Sequence, residues 1–169
     1  MDADEAIAGL MATSGDRLLR LAYQLTHERA SAEDLVQEAL MLAYRSWHRR
    51  GVLPDHALSY VRRTVVNEHI RRGRRRASHE VVLADLPEQV DVASFADEHA
   101  ERERVWTALA TLPARSRAVL VLRYYEDLPD REIASVLGCR ESTVRSLVAR
   151  GLSALRSPAA GLVIDGGTR

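Results

Sequence analysis

The chain has 169 residues, enough for one medium domain or two small ones, and its 46% hydrophobic content is that of an ordinary soluble protein. Its formal net charge of +0 argues against a uniformly basic nucleic-acid-binding protein. The only cysteine, Cys139, excludes an internal disulfide and a multi-cysteine zinc site. The acidic N-terminus is unlike a signal peptide, and no apolar run reaches the roughly 18 residues of a membrane span, so we expect a cytoplasmic protein.

The neutral total conceals a strong segregation of charge along the chain. The net charge is −5 over residues 1–44, +8 over 45–76, −6 over 77–104 and +3 over 105–169. Every basic residue is arginine, which a GC-rich genome explains more readily than selection for function. Blocks of opposite sign indicate separate modules with different partners.

The first half of the chain has the apolar periodicity of α-helices. One apolar stripe covers residues 18–25 and a second covers residues 35–47. Ser31, with Asp34 three residues later, is predicted to cap the second helix. After a break, a third helix is predicted from about residue 56 to residue 76.

The second half begins with an acidic, weakly periodic segment that reads as a linker. Another helix is predicted to begin at Pro113, with Tyr124 on its core side, and no stretch has the sustained alternation of a β-strand. We therefore predict an all-α protein in which two small helical domains are joined by an acidic linker. The predicted bounds are 1–76 for the first domain, 77–104 for the linker, 105–157 for the second domain and 158–169 for a disordered tail.

Residues 130–156 have the pattern of a helix-turn-helix. Asp130 is predicted to cap a short first helix, Ala134 lets two helices approach closely, and Gly138 stands where the turn needs a positive φ. The alternative is an ordinary helical hairpin with a solvated polar face. The register of these features favours DNA binding, in which the second helix enters the major groove.

The polar face of that second helix supplies the candidate base-reading residues. Arg145 is suited to bidentate bonds with guanine. Arg140 is a poor N-cap, so we expect it to reach a phosphate and the helix to start later, at Ser142. Gly151 is expected to weaken the helix by about 1 kcal/mol relative to alanine. The predicted DNA-facing residues are Arg140, Glu141, Ser142, Thr143, Arg145, Ser146 and Arg150.

The helix predicted over residues 59–76 is dense in arginine and anchored by an apolar side. Such a face should bind nucleic acid with a steep salt dependence, because neutralised phosphates release counterions. Unstacked bases can lie on aromatic rings nearby, although for Trp47 core packing is an equally open role. The predicted DNA-binding and melting residues are Trp47, Arg49, Tyr60, Arg62, Arg63, Asn67, Arg71, Arg72 and Arg74.

Three segments together resemble the extracytoplasmic-function (ECF) sigma factors of bacterial RNA polymerase. SAEDLVQEALMLAYRSW, residues 31–47, resembles their polymerase-binding helix, and YVRRTVVNEHIRRGRRR, residues 60–76, resembles their promoter-melting and minus-ten-reading helix. Residues 112–156 resemble their minus-thirty-five-binding domain. The resemblance covers about residues 18–156, in an Arg-rich style similar to the actinobacterial branch.

The resemblance implies partners and roles for the matching positions. Asp34, Gln37 and Glu38 would contact the clamp helices of the polymerase largest subunit, and the C-terminal domain would bind the flap of the second-largest subunit. Asn67 and the loop over residues 51–57 would capture an unstacked base. The implied partners are the RNA polymerase core, promoter DNA and an anti-sigma factor.

Two other functional classes are open to the same sequence. A standalone helix-turn-helix regulator would bind duplex DNA without polymerase, but it would need neither the acidic helix nor the arginine-rich helix. An enzyme is disfavoured, because the six histidines lack metal-ligand spacing and no phosphate loop or nucleophile motif is present. We therefore predict an alternative sigma factor that is not an enzyme and has no metal or cofactor.

Overall fold

The computed structural model describes residues 3–50, 56–79 and 98–157, and within these ranges it contains helices and short connections but no β-strand. The all-α prediction is therefore confirmed. The loop at 51–55, most of the predicted linker and the tail lie outside the described residues. The elements are α1 (Ala3–Thr26), α2 (Arg29–Arg50), α3 (Ala57–His79), α4 (Glu98–Ala110), α5 (Ala114–Leu120) with a π-helical turn (Val121–Tyr125), α6 (Asp130–Leu137) and α7 (Glu141–Arg156).

Helices α1, α2 and α3 pack together as an N-terminal domain because each carries an apolar stripe at helical spacing. Leu21, Leu35 and Val65 are fully buried, and burial of each such side chain stabilises the fold by about 1.5–3 kcal/mol. Trp47 is only 2% exposed and packs on Tyr60, with ring centroids 5.8 Å apart. Of the two roles open to Trp47, the structure favours core packing.

The start of α2 differs from its prediction. The helix begins at Arg29, and Ser31 already lies inside the first turn, where its hydroxyl donates a hydrogen bond to the Glu28 carboxylate. The chain reverses before it at His27, whose φ is 54°. The capping role of Ser31 was wrong because its hydroxyl bonds to a side chain instead of a free backbone N–H group.

Helices α4 to α7 form the C-terminal domain around Leu122, Ile133 and Val144, each of which is fully buried. Helix α4 begins at Glu98, inside the segment predicted as linker. The helix-turn-helix is formed by α6 and α7, and Gly138 between them has the left-handed φ of 60° that the turn was predicted to need.

Two predicted helix starts in the helix-turn-helix need correction. Asp130 is the first residue of α6 and makes no capping bond, because its carboxylate pairs with Arg123 at 2.5 Å. Helix α7 starts at Glu141, with Arg140 at the capping position and no capping bond from its side chain. The start therefore does not move to Ser142.

The end of α5 widens into the π-helical turn, in which Glu126 N–H donates to the Val121 carbonyl at 3.1 Å. The extra residue in the turn rotates the side chains that follow it relative to an α-helix. Tyr124, predicted to face the core, is consequently 63% exposed, while Leu122 stays buried. A sequence pattern based on one helical period cannot anticipate this change of phase.

The two domains contact each other through α3, which packs against α5 and α6 as well as against α1 and α2. The half-buried Arg117 on α5 donates hydrogen bonds to the carbonyls of Leu109 at 2.9 Å, Ala110 at 2.7 Å and Leu112 at 3.2 Å, and to Leu25 of α1 at 2.9 Å. One guanidinium thus binds carbonyls at the C-terminal ends of two helices, α1 and α4.

His69 of α3 is also buried, and its Nε2 is without a hydrogen-bond partner. Burial and the positive charges of Arg117, Arg76 and Arg72 lower the pKa of His69 from 6.5 to about 4. The unfolded chain therefore binds a proton more readily than the native state. The stability that depends on neutral His69 is complete above pH 6.5 and is lost as the pH falls toward 4.

We expect His69→Gln to flatten this pH dependence. Between pH 7 and pH 5 the unfolding free energy of the wild type should fall by about 2 kcal/mol more than that of the variant. Urea unfolding at the two pH values measures the difference, and His48→Gln, at an exposed histidine of α2, is the control. Equal losses in the wild type and in His69→Gln would contradict the prediction.

Candidate functional surfaces

A shallow cleft of about 360 Å³ lies along the outer face of α2. It contains all three residues predicted to contact polymerase, and Asp34 and Gln37 among them are exposed. Its lining is formed by Asp34, Gln37, Glu38, Met41, Leu42, Arg45 and Arg72. The structure thus brings the predicted protein-binding residues together on one accessible surface.

Glu38 differs from the other two because it is paired within the chain. Its carboxylate accepts hydrogen bonds from Arg71 at 2.8 Å and from Arg72 at 2.5 Å, and Arg71 also pairs with Glu68. The hydrogen bond from Arg72, supported by the charges of both arginines, holds the pKa of Glu38 below its ordinary value. This network fixes α3 against α2 and makes Glu38 a bridge between the two helices.

Met41 is a member of the cleft that the sequence patterns missed. It is 48% exposed and stands among the acidic and polar residues one helical turn after Gln37 and Glu38. Methionine and other adaptable apolar residues are enriched at protein interfaces. Met41 follows Gln37 by four residues and Glu38 by three, so helical spacing alone would have placed it on the same face of α2.

The arginine-rich helix α3 presents an open face formed by Arg63, Asn67 and Arg74, all exposed. Arg49 at the end of α2 is also exposed, whereas Tyr60 is half-buried against Trp47. This open face matches part of the predicted DNA-binding set.

Three other members of that set point elsewhere. Arg71 and Arg72 turn toward α2, where they bind Glu38. The side chain of Arg62 is only 13% exposed, and its guanidinium lies 4.0 Å from the Glu132 carboxylate of α6. Their roles in DNA binding stay predictions. To bind DNA, each arginine would have to exchange its glutamate partner for a phosphate or a base.

The outer face of α7 is free of the rest of the protein, as the helix-turn-helix prediction requires. Arg145, Ser146 and Arg150 are exposed along it, and Val144 and Leu155 are buried on the opposite side. Arg140, Glu141 and Ser142 are exposed at its N-terminal end, and Thr143 is half-buried. All the predicted DNA-facing residues except Thr143 are therefore exposed, along a face that runs from the N-terminal end of α7 to Arg150.

A fourth surface, which the sequence did not reveal, surrounds the π-helical turn. Tyr124 and Tyr125 are 63% and 44% exposed, and a cleft of about 540 Å³ opens beside Tyr124. Its lining residues are Arg123, Tyr124, Asp127, Leu128, Pro129 and Asp130. Exposed aromatic residues next to a concave surface are typical of protein-binding sites.

The part of the chain that the structure describes contains no cluster of histidine, cysteine, aspartate or glutamate side chains able to hold a metal ion. None of the described helices is long and apolar enough to cross a membrane.

Comparison with protein families identifies both helical domains. Residues 10–79 match the family model for sigma-70 region 2, and residues 102–155 match the model for sigma-70, region 4. The matched segments coincide with α1 to α3 and with α4 to α7. These two domains in this order define a sigma factor of bacterial RNA polymerase, and the match to region 2 excludes a simple helix-turn-helix regulator.

Comparison with individual proteins shows to which group of sigma factors the chain belongs. The chain is 35% identical to RNA polymerase sigma-E factor of Streptomyces coelicolor, over 85% of this chain and 80% of the relative. It is 34% identical to ECF RNA polymerase sigma factor SigL of Mycobacterium tuberculosis, over 82% of this chain and 80% of the relative. The chain belongs to the ECF sigma factors, with relatives in actinobacteria, and is an alternative sigma factor.

A solved structure confirms the fold. The sigma factor RpoE of Bartonella quintana, crystallised in complex with the anti-sigma factor NepR, aligns with 95% of this chain and 99% of its own chain. The TM-score is 0.66 at 20% sequence identity. The likeness establishes the shared all-α architecture of two domains.

Proposed function

We propose that this protein binds the RNA polymerase core through the α2 cleft and directs transcription from promoters that it both reads and melts. The observation that supports this most directly is the separation of three accessible surfaces on one chain. A cleft of mixed polar and apolar lining on α2, a basic open face on α3 and the outer face of α7 suit a protein partner, a melted strand and duplex DNA, respectively.

In this proposal Asp34, Gln37 and Met41 contact the clamp helices of the polymerase largest subunit. Asp34 and Gln37 provide polar contacts at the cleft, and Met41 provides the apolar one. Glu38 keeps α3 in place beside the bound polymerase through its pairing with Arg71 and Arg72.

Promoter DNA is bound by the other two surfaces. Arg63 and Arg74 follow the phosphates of the separated strand, and Asn67 contacts an unstacked base. Helix α7 lies in the major groove at the upstream element, with Arg145 at the base edges. We also propose that the exposed aromatic surface at Tyr124 and Tyr125 meets the flap of the second-largest subunit.

In this proposal the protein acts in the cytoplasm. It is not an enzyme, because the sigma factor supplies contacts with DNA and polymerase, and the polymerase carries out the chemistry. An anti-sigma factor is a further proposed partner, supported by the complex in which the Bartonella quintana sigma factor was crystallised.

Run-off transcription tests the function as a whole. Purified core polymerase, with and without this protein, is supplied with a fragmented library of the host genome. New transcripts that start at specific sites would establish the sigma-factor activity and, on alignment, give both promoter elements. Absence of such transcripts, together with failure to co-migrate with core polymerase in gel filtration, would refute it.

Arg145→Ala is expected to relax base preference at one position of the upstream element. A bidentate arginine–guanine contact contributes about 1–3 kcal/mol of discrimination, so a loss of preference of roughly five- to 150-fold at that position is expected. Competition binding with a set of single-base variants of the promoter measures it. Arg156→Ala, at an exposed arginine at the far end of α7, is the control. A uniform loss across all sequences would instead identify a phosphate contact.

A further inference from the structure

The α2 cleft receives one side chain from α3. Arg72 is among its lining residues, and its Nη2 donates hydrogen bonds to the Glu38 carboxylate at 2.5 Å and to the Asp34 carbonyl at 3.5 Å. The side chain of Arg72 is 30% exposed, so part of it is open to solvent although it is paired. The cleft that contains the predicted polymerase-contacting residues is therefore built from two helices.

Arg72 lies on the buried side of α3, next to α2. It follows Val61, Val65 and Glu68 at helical intervals, and all three of these residues are buried. Between Arg63 and Arg72 the helix makes about two and a half turns, so the two arginines lie on opposite sides of α3. A DNA strand that follows the open face at Arg63 cannot reach Arg72 while α3 stays packed on α2.

The neighbouring Arg71 has different surroundings, although it also binds Glu38. It donates to the Glu38 carboxylate at 2.8 Å and pairs with Glu68 as well. Of the two arginines, only Arg72 lines the cleft. Both therefore fix Glu38 in place, but Arg72 alone is accessible to a molecule bound in the cleft.

The guanidinium of Arg72 keeps bonding capacity for such a molecule. Arginine carries several N–H donors in a planar fork, and within the described residues both bonds of Arg72 come from Nη2. The Nε and Nη1 groups can therefore donate to a further acceptor. A carboxylate suits this fork best, because it accepts two parallel hydrogen bonds. Met41 lies about one helical turn after Glu38, so the matching carboxylate should stand beside an apolar side chain.

We infer that Arg72 belongs to the polymerase-binding surface and not to the DNA-binding face, and that it binds a carboxylate of the polymerase core. This role rests on the proposed function, which it extends, because the α2 cleft is the proposed site of the polymerase. Asp34 and Gln37 from α2 then share the contact with Arg72 from α3. Both helices meet the polymerase, and an arginine with the sequence pattern of a DNA-binding residue serves protein recognition.

Arg72→Met and Arg71→Met together test this role. Binding of each labelled full-length protein to purified core polymerase is measured without DNA, so that a contact with DNA contributes nothing. Arg72→Met should weaken this binding about tenfold or more, as expected for the loss of one charge-assisted hydrogen bond, and should make it less sensitive to salt. Arg71→Met removes the other arginine that binds Glu38 and should weaken core binding by less than about threefold.

Arg74→Met, on the open face of α3, should show the opposite pattern. Binding of a fluorescent single-stranded oligothymidine probe is measured on the same proteins at several salt concentrations. Arg74→Met should weaken binding and reduce the slope of log affinity against log salt by about 0.7, as expected for one lost phosphate contact. Arg72→Met should leave both the affinity and the slope at their wild-type values.

Equal losses of core binding in Arg72→Met and Arg71→Met would overturn the inference, because Arg72 would then act only by holding Glu38. Unchanged core binding together with a weaker affinity for the probe would also overturn it and would return Arg72 to the DNA-binding set. If Arg72→Met fails to fold, as judged by circular dichroism, Arg72→Lys and Arg71→Lys are compared in the same way. Lysine keeps the charge for Glu38 but lacks the planar fork.

Asp34→Ala separates a failure of this inference from a failure of the proposed function. If Asp34→Ala weakens core binding and Arg72→Met does not, the α2 cleft remains the polymerase site and the role of Arg72 alone is refuted. If neither variant weakens core binding, the polymerase binds elsewhere, and the proposed use of the cleft is refuted together with the role of Arg72.

Discussion

Arg63→Ala combined with Asn67→Ala is expected to abolish open-complex formation while binding to core polymerase stays unchanged. Both side chains are exposed one helical turn apart on the open face of α3, away from the α2 cleft. Unstacking a base costs a few kcal/mol, and the contacts made by these two residues must compensate for it. Loss of both should therefore stop strand separation without affecting assembly of the holoenzyme.

Permanganate reactivity of thymines in the melted region measures the first effect, and co-migration with core polymerase measures the second. Arg20→Ala, at an exposed arginine of α1 in the same domain, is the control for loss of positive charge. Normal permanganate reactivity in the double variant would refute the melting role of this face. Loss of core binding would show instead that α3 contributes to the polymerase interface.

Arg117→Met is expected to lower the free energy of unfolding by about 3 kcal/mol. The substitution keeps an unbranched apolar stem but removes four hydrogen bonds, and a bond from a charged donor contributes about 1.5–3 kcal/mol before the exposed carbonyls are rehydrated. Burial and the nearby Arg76 lower the pKa of Arg117 from its ordinary value.

Urea unfolding followed by circular dichroism measures this loss. Arg115→Met is the matched control, because Arg115 lies on the same helix and makes none of the four bonds. Its effect should stay within about 0.5 kcal/mol of zero. Equal destabilisation by the two variants would mean that the loss comes from the change of residue type, and that the carbonyl bonds contribute little.

The three-helix N-terminal domain and the helix-turn-helix could both be predicted because their signals are local. Apolar spacing reports which side of a helix is buried, and the left-handed turn at Gly138 has a strong residue preference. The exposed candidates Asp34, Gln37, Arg63, Asn67 and Arg145 follow from the same periodicity, since they lie opposite the buried stripes.

Other features could not be predicted because they depend on a change of helical period or on contacts with residues far away in the sequence. Tyr124 follows the apolar spacing of α5, but the π-helical turn carries it to the surface. Gly151 reads as a weak point of α7, yet it is buried, and a Cβ there would lie 3.0 Å from the Leu120 side chain. Close packing of α7 on α5 therefore accounts for this glycine.

The all-α class and the family could be predicted without a structure, because helical periodicity and short motifs lie within a few turns of the chain. The packing of the helices was needed to show that Arg71 and Arg72 bind Glu38, and that Arg62 faces the C-terminal domain. An arginine on a helix has the same local signal whether it meets a phosphate, a carboxylate or a carbonyl. Its partner is fixed by residues far away in the chain, which come close only when the helices pack.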